Sequence, residues 1–523
     1  MPKKGSELKT VTIMMIITLF GKMLGLLRDS LVGSYFGTDS IEGAAFNFAS
    51  TLPRNLLDFM FASAISASFI PVFSQALERD GKEKAFKISH NFISIILAAS
   101  LAVTVLCIIF AEPIIMLYVG SNNEAAPLAV KYIRVLFPII LVSCLAFSLT
   151  GVLQTLGEFN LPAAMGLACN AAILFYYFFF MKKFGVYGLC FAYLAGWSAQ
   201  LLIQLPYLWK RNFGFRFRIN LKDEAIARIG RLMLPVMVST WVAPVNALAN
   251  GKAALFDIYG LESYNAIIYA NTLYSVISGV FVLSVSNIMF PKLSALAARE
   301  DAGEFGAALS SCIRAMMYVM IPMALGIIAV SSPIVRFVYE RGNFTSLSTR
   351  LTSSAMIFFS IGIPGFGIQT IMTRAFYAFQ EGKAPMLSGF AAIAANAALS
   401  FALVPVLGVG GPALASSVSI TLAALIMLAV MAGKVKGIFI GKMWADILKM
   451  AFAGAVMFIC SVWTRDALTS ALPDSLLSRM AAIGAPIACG CAAYIALTLI
   501  FRVDEALEAY NMLKTLVRKR WRK

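Results

Sequence analysis

Apolar stretches of about 20 residues alternate with short polar or Gly/Pro-containing breaks along nearly the whole chain. Phe92 to Phe110, Ala163 to Met181 and Leu414 to Ala432 show the pattern at full length, and about 20 mainly apolar residues are what a helix needs to cross a bilayer. Cutting the chain at its polar breaks predicts about fourteen spanning segments. They lie at roughly 10–36, 43–78, 85–111, 126–156, 161–181, 186–209, 225–258, 263–298, 305–331, 348–380, 385–405, 411–433, 442–464 and 478–501. Several exceed the thickness of a bilayer, which predicts tilt or extension past the lipid. The first is followed by many equivalents and lacks a small-residue cleavage site, so it reads as a retained helix and not a signal peptide. No long polar stretch is left to form a soluble domain.

Composition agrees with this pattern: 60% of the 523 residues are apolar and 13% are charged, against roughly a quarter charged in soluble proteins. The net charge of +17 changes the picture only through its distribution. The basic residues cluster in short loops between apolar segments, which points to membrane topology and away from nucleic acid. One set of alternate loops holds Lys3, Lys4 and Lys9; Arg79, Lys82, Lys84 and Lys87; Lys210, Arg211, Arg216, Arg218 and Lys222; Lys292 and Arg299; Lys434 and Lys436; and a tail running from Lys514 to Lys523. The other set is sparse: chiefly Lys182, Lys183, Arg341, Arg465 and Arg479. Because cytoplasmic loops carry the excess of Lys and Arg, both termini are expected in the cytoplasm, which needs an even number of helices.

The chain also repeats itself. Phe69-Ile70-Pro71-Val72-Phe73-Ser74 recurs as Met289-Phe290-Pro291-Lys292-Leu293-Ser294, and Glu112-Pro113-Ile114-Ile115 recurs as Ser332-Pro333-Ile334-Val335, both at an offset of about 220. Gly185-Val186-Tyr187-Gly188 aligns with Gly408-Val409-Gly410-Gly411 at a nearly equal offset. An offset spanning six helices preserves orientation. The expected fold is therefore an all-α integral membrane protein with two parallel six-helix repeats around a central cavity, plus two extra C-terminal helices. The corresponding divisions are 1–210, 211–437, 438–501 and a basic cytoplasmic tail at 502–523.

Ionisable groups inside spanning segments are costly unless they face a cavity or a partner. Segment 1 carries Lys22, Arg28 and Asp29, segment 2 carries Arg54 and Asp58, segment 7 carries Lys252 and Asp257, and segment 10 carries Arg374. Five cations against three carboxylates suit an anionic headgroup, and arginine can grip a phosphate with paired hydrogen bonds. Two plainer readings stand beside this one. Arg54 and Asp58 are spaced to pair along one helix face, and Arg28 with Asp29 can mark a helix end. Gly21 and Gly25 give a GxxxG spacing that either admits a close helix neighbour or lets the helix bend, and Pro53 and the 364–367 stretch are further kink sites. The eight cysteines sit in or beside apolar segments with no CxxC pair, and His90 is the sole histidine. Small buried thiols are the expectation, with no transition-metal site. Walker, HExxH and nucleophile-elbow sequences are also missing, so no cofactor or enzymatic constellation is expected.

Gly25-Leu26-Leu27-Arg28-Asp29 with Phe36-Gly37-Thr38-Asp39, then Leu52-Pro53-Arg54-Asn55-Leu56-Leu57 and Phe69-Ile70-Pro71-Val72-Phe73, resemble the opening of the MurJ (MviN) lipid II flippase family, of the MOP exporter superfamily. Tyr339-Glu340-Arg341-Gly342-Asn343-Phe344-Thr345 and Arg374-Ala375-Phe376-Tyr377-Ala378-Phe379-Gln380-Glu381 resemble two later signatures. The resemblance implies two six-helix lobes, a V-shaped cavity, and a groove near the extra helices for a polyprenyl tail. It also implies a flippase of the bacterial cytoplasmic membrane whose substrate is undecaprenyl-pyrophosphoryl-linked disaccharide pentapeptide. Membrane lipids and cell-wall synthesis proteins are the further partners. Of the family's cavity arginines, Arg28 matches one directly and Lys22 stands where another is usual. Two others fall on Leu57 or Asp58 and on Thr272, leaving Arg54, Lys252 and Arg374 as replacements and Asp29 as a neighbour. A flippase for another polyprenyl-linked oligosaccharide, a multidrug exporter and a non-transporting cell-wall scaffold are the rival readings.

Family members with a sodium site draw ligands, carboxylates included, from helices 7, 11 and 12. The nearest equivalents by this resemblance are Lys252, Asn396, Ser400 and Ser416. A protonated lysine cannot ligate sodium, so no sodium is expected there, and the ammonium takes the cation's electrostatic place; alternatively Lys252 pairs with Asp257 or snorkels to the interface.

The charge asymmetry yields a topology test. In intact cells, impermeant thiol reagents applied to single-cysteine variants should label positions near Asn122 or Asn343 and leave a position near Arg216 unlabelled; labelling near Arg216 would overturn the orientation.

Overall fold

The computed structural model describes the backbone of residues 4–297, 302–379, 381–435, 440–471, 473 and 475–520. Every regular element among them is an α-helix, as expected where no water is present to satisfy backbone groups and each N–H must find a carbonyl in its own segment. Contacts divide the chain into two compact units, Met1–Leu248 and Ala249–Lys523.

The first unit contains α1 (Lys4–Phe36), α2 (Ile41–Arg79), α3 (Gly81–Ile109), α4 (Ala111–Val119), α5 (Ala126–Leu136), α6 (Ile139–Thr155), α7 (Asn160–Phe179), α8 (Met181–Leu202), α9 (Leu205–Lys210) and α10 (Glu224–Thr240). The boundary falls within α11 (Val242–Ala254). The second unit continues with α12 (Leu261–Ala297), α13 (Ala302–Tyr339), α14 (Ser346–Ile361), α15 (Ile363–Ala378), α16 (Lys383–Leu407), α17 (Gly410–Lys434), α18 (Ile440–Ala471), α19 (Leu476–Ile500) and α20 (Asp504–Arg520). Each expected segment falls on one helix or on a broken pair: α5 with α6, α8 with α9, α10 with α11, and α14 with α15. The last pair bends by 44° at Gly362, beside the proline and glycines read as a kink site. Pro53 and Pro71, in contrast, lie inside an unbroken α2. Among the described residues, nine stretches are long and apolar enough to cross a membrane, ten if α14 and α15 form one span. The other four expected segments fall on α1, α2, α10 with α11, and α12.

The repeated Gly-Val motif marks equivalent breaks. Gly185 sits at a kink near the start of α8 with φ 59°, and Gly408 opens the turn between α16 and α17 with φ 54°. That left-handed backbone strains any residue with a Cβ, so glycine recurs in both units for one physical reason. In each unit the flanking helices pack against one another.

The contact division falls later than residue 210 because the basic loop after α9 is tied down. Asn91 on α3 donates through Nδ2 to the Asn220 carbonyl at 2.9 Å and accepts from the Asn220 N–H at 2.7 Å. Ser94 Oγ accepts from the Arg218 N–H, and Lys82 Nζ donates to the Arg211 carbonyl. Beyond the loop, α10 packs on α2 and α3, with Arg228 Nη1 donating to Gln75 Oε1 at 2.7 Å. One buried amide and one buried hydroxyl on α3 thus hold the loop that leads into α10 in the first unit.

The two extra helices join the second unit through α13, against which both α18 and α19 pack. A buried ion network adds α20 to this group. Arg314 on α13 donates through Nε to Glu505 Oε1 at 2.9 Å and lies 3.9 Å from Asp446 Oδ2 on α18, while Lys449 approaches Asp446 Oδ1 at 3.1 Å. Side-chain exposures are 15% for Arg314 and 10% for Glu505. The helix containing the basic tail is therefore anchored at its start; its side chains beyond Lys514 lie outside the described residues.

Removing one member of a buried ion network leaves its partners uncompensated, at a cost of about 3–5 kcal/mol. Arg314→Met should accordingly lower the unfolding temperature in detergent markedly, whereas Lys84→Met, on an exposed helical pair, should leave it within about 1 kcal/mol of wild type.

Candidate functional site

On α1 the GxxxG glycines face α7. A Cβ at Gly21 would lie 3.4 Å from the Leu167 nitrogen, and one at Gly25 would lie 3.3 Å from Asn170 Nδ2. Of the two meanings of this spacing, close helix contact is the one realised. The approach lets the Asn170 side chain reach across: its Nδ2 donates to the Gly21 carbonyl at 3.0 Å, and its Oδ1 accepts from Arg28 Nη1 at 2.9 Å.

Arg28 is held from three sides. Its Nε and Nη2 donate to Asp29 Oδ1 at 2.9 and 2.7 Å, and its guanidinium carbon stands 5.5 Å from the ring centroid of Tyr193 on α8. The side chain is 14% exposed. Since α1 runs on to Phe36, the pair does not mark a helix end. Arg28 is a mid-helix cation with three of its five N–H donors engaged, fixed in orientation by a carboxylate, an amide and an aromatic face. Arg54, on α2, is half-buried. Lys22 is half-buried two turns earlier on α1. The side chain of Asp58 lies outside the described residues, and with it the proposed pairing to Arg54.

The remaining candidates belong to the second unit. Lys252 on α11 and Arg374 on α15 are both half-buried. Asp257, the suggested partner of Lys252, accepts instead from the Ser263 hydroxyl and from the Ile258 N–H at 2.8 Å, in the turn between α11 and α12.

Two residues from Lys252, the structure assembles a different set. Asn250 Oδ1 accepts from Asn396 Nδ2 at 3.0 Å and from Ser400 Oγ at 3.1 Å; Asn250 Nδ2 donates to Ser416 Oγ at 2.6 Å, which donates to Asn396 Oδ1 at 3.2 Å. All four side chains are buried, and they come from α11, α16 and α17. Asn250, not Lys252, therefore occupies the α11 position beside Asn396, Ser400 and Ser416. This donor set does not fit a sodium ion. It contains no carboxylate, and its amide oxygens already accept from neighbouring N–H and O–H groups, so binding a cation would break the ring without supplying a compensating negative charge.

Sequence reasoning missed Asn170, Tyr193 and Asn250. The available signal was a lone amide in an apolar helix, which must find a partner on another helix; the identity of that partner was not encoded nearby.

The fold is one found among solved membrane transporters. A multidrug resistance MATE family transporter of the MOP superfamily, in an inward-facing conformation, superposes with a TM-score of 0.69 over 81% of this chain and 98% of that one, at 15% identity. The chain belongs to the lipid II flippase MurJ family, whose model matches residues 32–477. It is 28% identical over 430 residues to the probable lipid II flippase MurJ of Treponema pallidum, covering 80% of each chain. To the lipid II flippase MurJ of Burkholderia cenocepacia it is 26% identical over 420 residues, covering 78% of this chain and 81% of that one. A lipid II flippase MurJ structure in an inward closed conformation matches with a TM-score of 0.77 at 25% identity, over 94% of this chain and 99% of that one.

The position of Asn170 makes it testable as the support of Arg28. Asn170→Ala removes a buried partner from a charged group and should destabilise the protein by about 1–3 kcal/mol, seen as a lower unfolding temperature in detergent, while Asn160→Ala at the start of the same helix should cost less.

Proposed function

We propose that this protein flips lipid II, an undecaprenyl-pyrophosphoryl disaccharide pentapeptide, from the cytoplasmic to the outer leaflet of the bacterial cytoplasmic membrane by alternating access, with both termini in the cytoplasm. Membership of the MurJ family supports the substrate class. The observation that carries the reading to particular residues is the buried, three-sided fixation of Arg28 in the middle of α1. A cation held in place before substrate arrives loses little side-chain freedom when it binds, and its two remaining N–H donors suit a pyrophosphate oxygen. Arg54, Lys22, Lys252 and Arg374 are further contacts, and Asp29 sets the angle of Arg28.

The drive is the membrane potential acting on the anionic headgroup. Moving one negative charge outward across an inside-negative membrane releases about 2.3 kcal/mol per 100 mV, enough to bias the cycle without a coupled ion. The neutral ring of Asn250, Asn396, Ser400 and Ser416 supports this reading, because its oxygens are engaged with one another.

Reconstituted vesicles test both parts. Lipid II transport should persist without sodium and stop when the potential is dissipated, and Arg28→Ala should abolish it at normal protein level. Full transport by Arg28→Ala would remove the assigned role, and an absolute sodium requirement would remove the assigned drive.

A further inference from the structure

A cavity of about 400 Å³ opens in the second unit where the turn between α11 and α12, the start of α14 and the turn between α16 and α17 meet. One carboxylate, Asp257, and one guanidinium, Arg350, line it. Among the described residues neither group makes an ion pair, with the other or with any third residue. Opposite charges that share a cavity without meeting each other suit a ligand that itself carries both signs, since each end of it gains a charge-assisted hydrogen bond.

Each charge is set in place and keeps capacity to bind. Asp257 accepts from the Ser263 hydroxyl and, through Oδ1, from the Ile258 N–H at 2.8 Å. A carboxylate has about four lone-pair sites, so both oxygens can still accept. Arg350, exposed near the start of α14, donates through Nη2 to the Tyr259 hydroxyl at 3.4 Å, and its other N–H donors are unengaged among the described residues. The Ser354 hydroxyl, one turn further along α14, also lines the cavity and has no partner among the described residues.

The rim of the cavity indicates what carries those two charges. Phe256, Ile258 and Val406 line it and are 69%, 89% and 77% exposed, with Phe256 edge-on to Phe401 at 5.7 Å. Val406 stands at the end of α16, a helix long and apolar enough to span the bilayer. Apolar side chains this exposed at such a helix end lie where headgroups give way to acyl chains. The cavity thus offers a guanidinium and a hydroxyl to a phosphate, a carboxylate to an ammonium, and an apolar edge to acyl chains. We propose that it binds the headgroup of phosphatidylethanolamine, with the phosphate on Arg350 and Ser354 and the ammonium on Asp257. A primary ammonium fits because it brings N–H donors to the carboxylate, which a trimethylammonium lacks.

The site depends on the chain's place in the bilayer and not on what it transports, so loss of transport would leave it standing. The test uses the purified full-length protein in detergent, with bound lipid counted by native mass spectrometry and the unfolding temperature read in parallel. Phosphatidylethanolamine should bind and raise the unfolding temperature. Phosphatidylglycerol, which has the phosphate without the ammonium, and phosphatidylcholine should bind about tenfold more weakly, as one charge-assisted hydrogen bond is lost. Asp257→Asn should weaken phosphatidylethanolamine by about tenfold and leave phosphatidylglycerol unchanged, so that the preference between the two disappears; damage to the turn between α11 and α12 would weaken both. Arg350→Gln, a change on an exposed side chain, should weaken both lipids by about tenfold, and it decides the matter if Asp257→Asn fails to fold. Equal binding of phosphatidylcholine or phosphatidylglycerol to the unaltered protein would overturn the role of Asp257. Equal stabilisation by phosphoethanolamine at the same concentration would assign the cavity to a soluble zwitterion and overturn the lipid, and undiminished binding of phosphatidylethanolamine to a folded Arg350→Gln variant would overturn the site.

Discussion

A charged or amide side chain in a membrane-spanning helix is tolerated only where another group meets it, because lipid offers no hydrogen bonds and little screening. The polar interior of this protein follows from that constraint. Arg28 stands in α1 because Asp29, Asn170 and Tyr193 take up its donors and its face. Arg314 stands in α13 because Glu505 and Asp446 come to it from two other helices. Asn250 stands in α11 because Asn396, Ser400 and Ser416 close a ring with it. Each is also a helix-to-helix tie, so the groups that are hardest to place in lipid are the ones that define which helices are neighbours.

These ties differ in what they leave available. The Asn250 ring is self-satisfied and neutral, which makes it a structural clamp between α11, α16 and α17. The Arg28 cluster is not: one carboxylate and one amide occupy three of five N–H donors. A buried group with residual charge and residual donors is suited to an anionic ligand, whereas a closed ring is suited to holding helices together.

Glycine plays a matching part where backbone, and not side chain, is the constraint. Gly21 and Gly25 permit α7 to come near enough for Asn170 to reach both the α1 backbone and Arg28. Gly185, at a kink near the start of α8, and Gly408, between α16 and α17, turn the chain in a conformation that a Cβ would strain. The first pair supports the site and the second pair recurs with the internal repeat, so four small residues account for much of the local geometry that positions larger ones.

The all-helical membrane architecture, the internal repeat and the break at Gly362 were legible in the sequence, whereas Pro53 did not break α2 and the breaks between α5 and α6, α8 and α9, and α10 and α11 were not foreseen. Length and period of apolar runs, proline and glycine positions and charge distribution are local properties that act before any tertiary contact forms. The candidate cations were legible too, since an ionisable residue in an apolar run stands out wherever it ends up. Their partners were not. Asn170 lies 142 positions from Arg28 and Asn396 lies 146 from Asn250, and nothing in the intervening chain encodes which helix packs on which. Tertiary structure also decided the register on α11, where Lys252 had been expected beside Asn396 and Asn250 was found: a two-residue shift turns a helix by about 200°, so the neighbour of a buried polar group is set by packing and not by proximity along the chain.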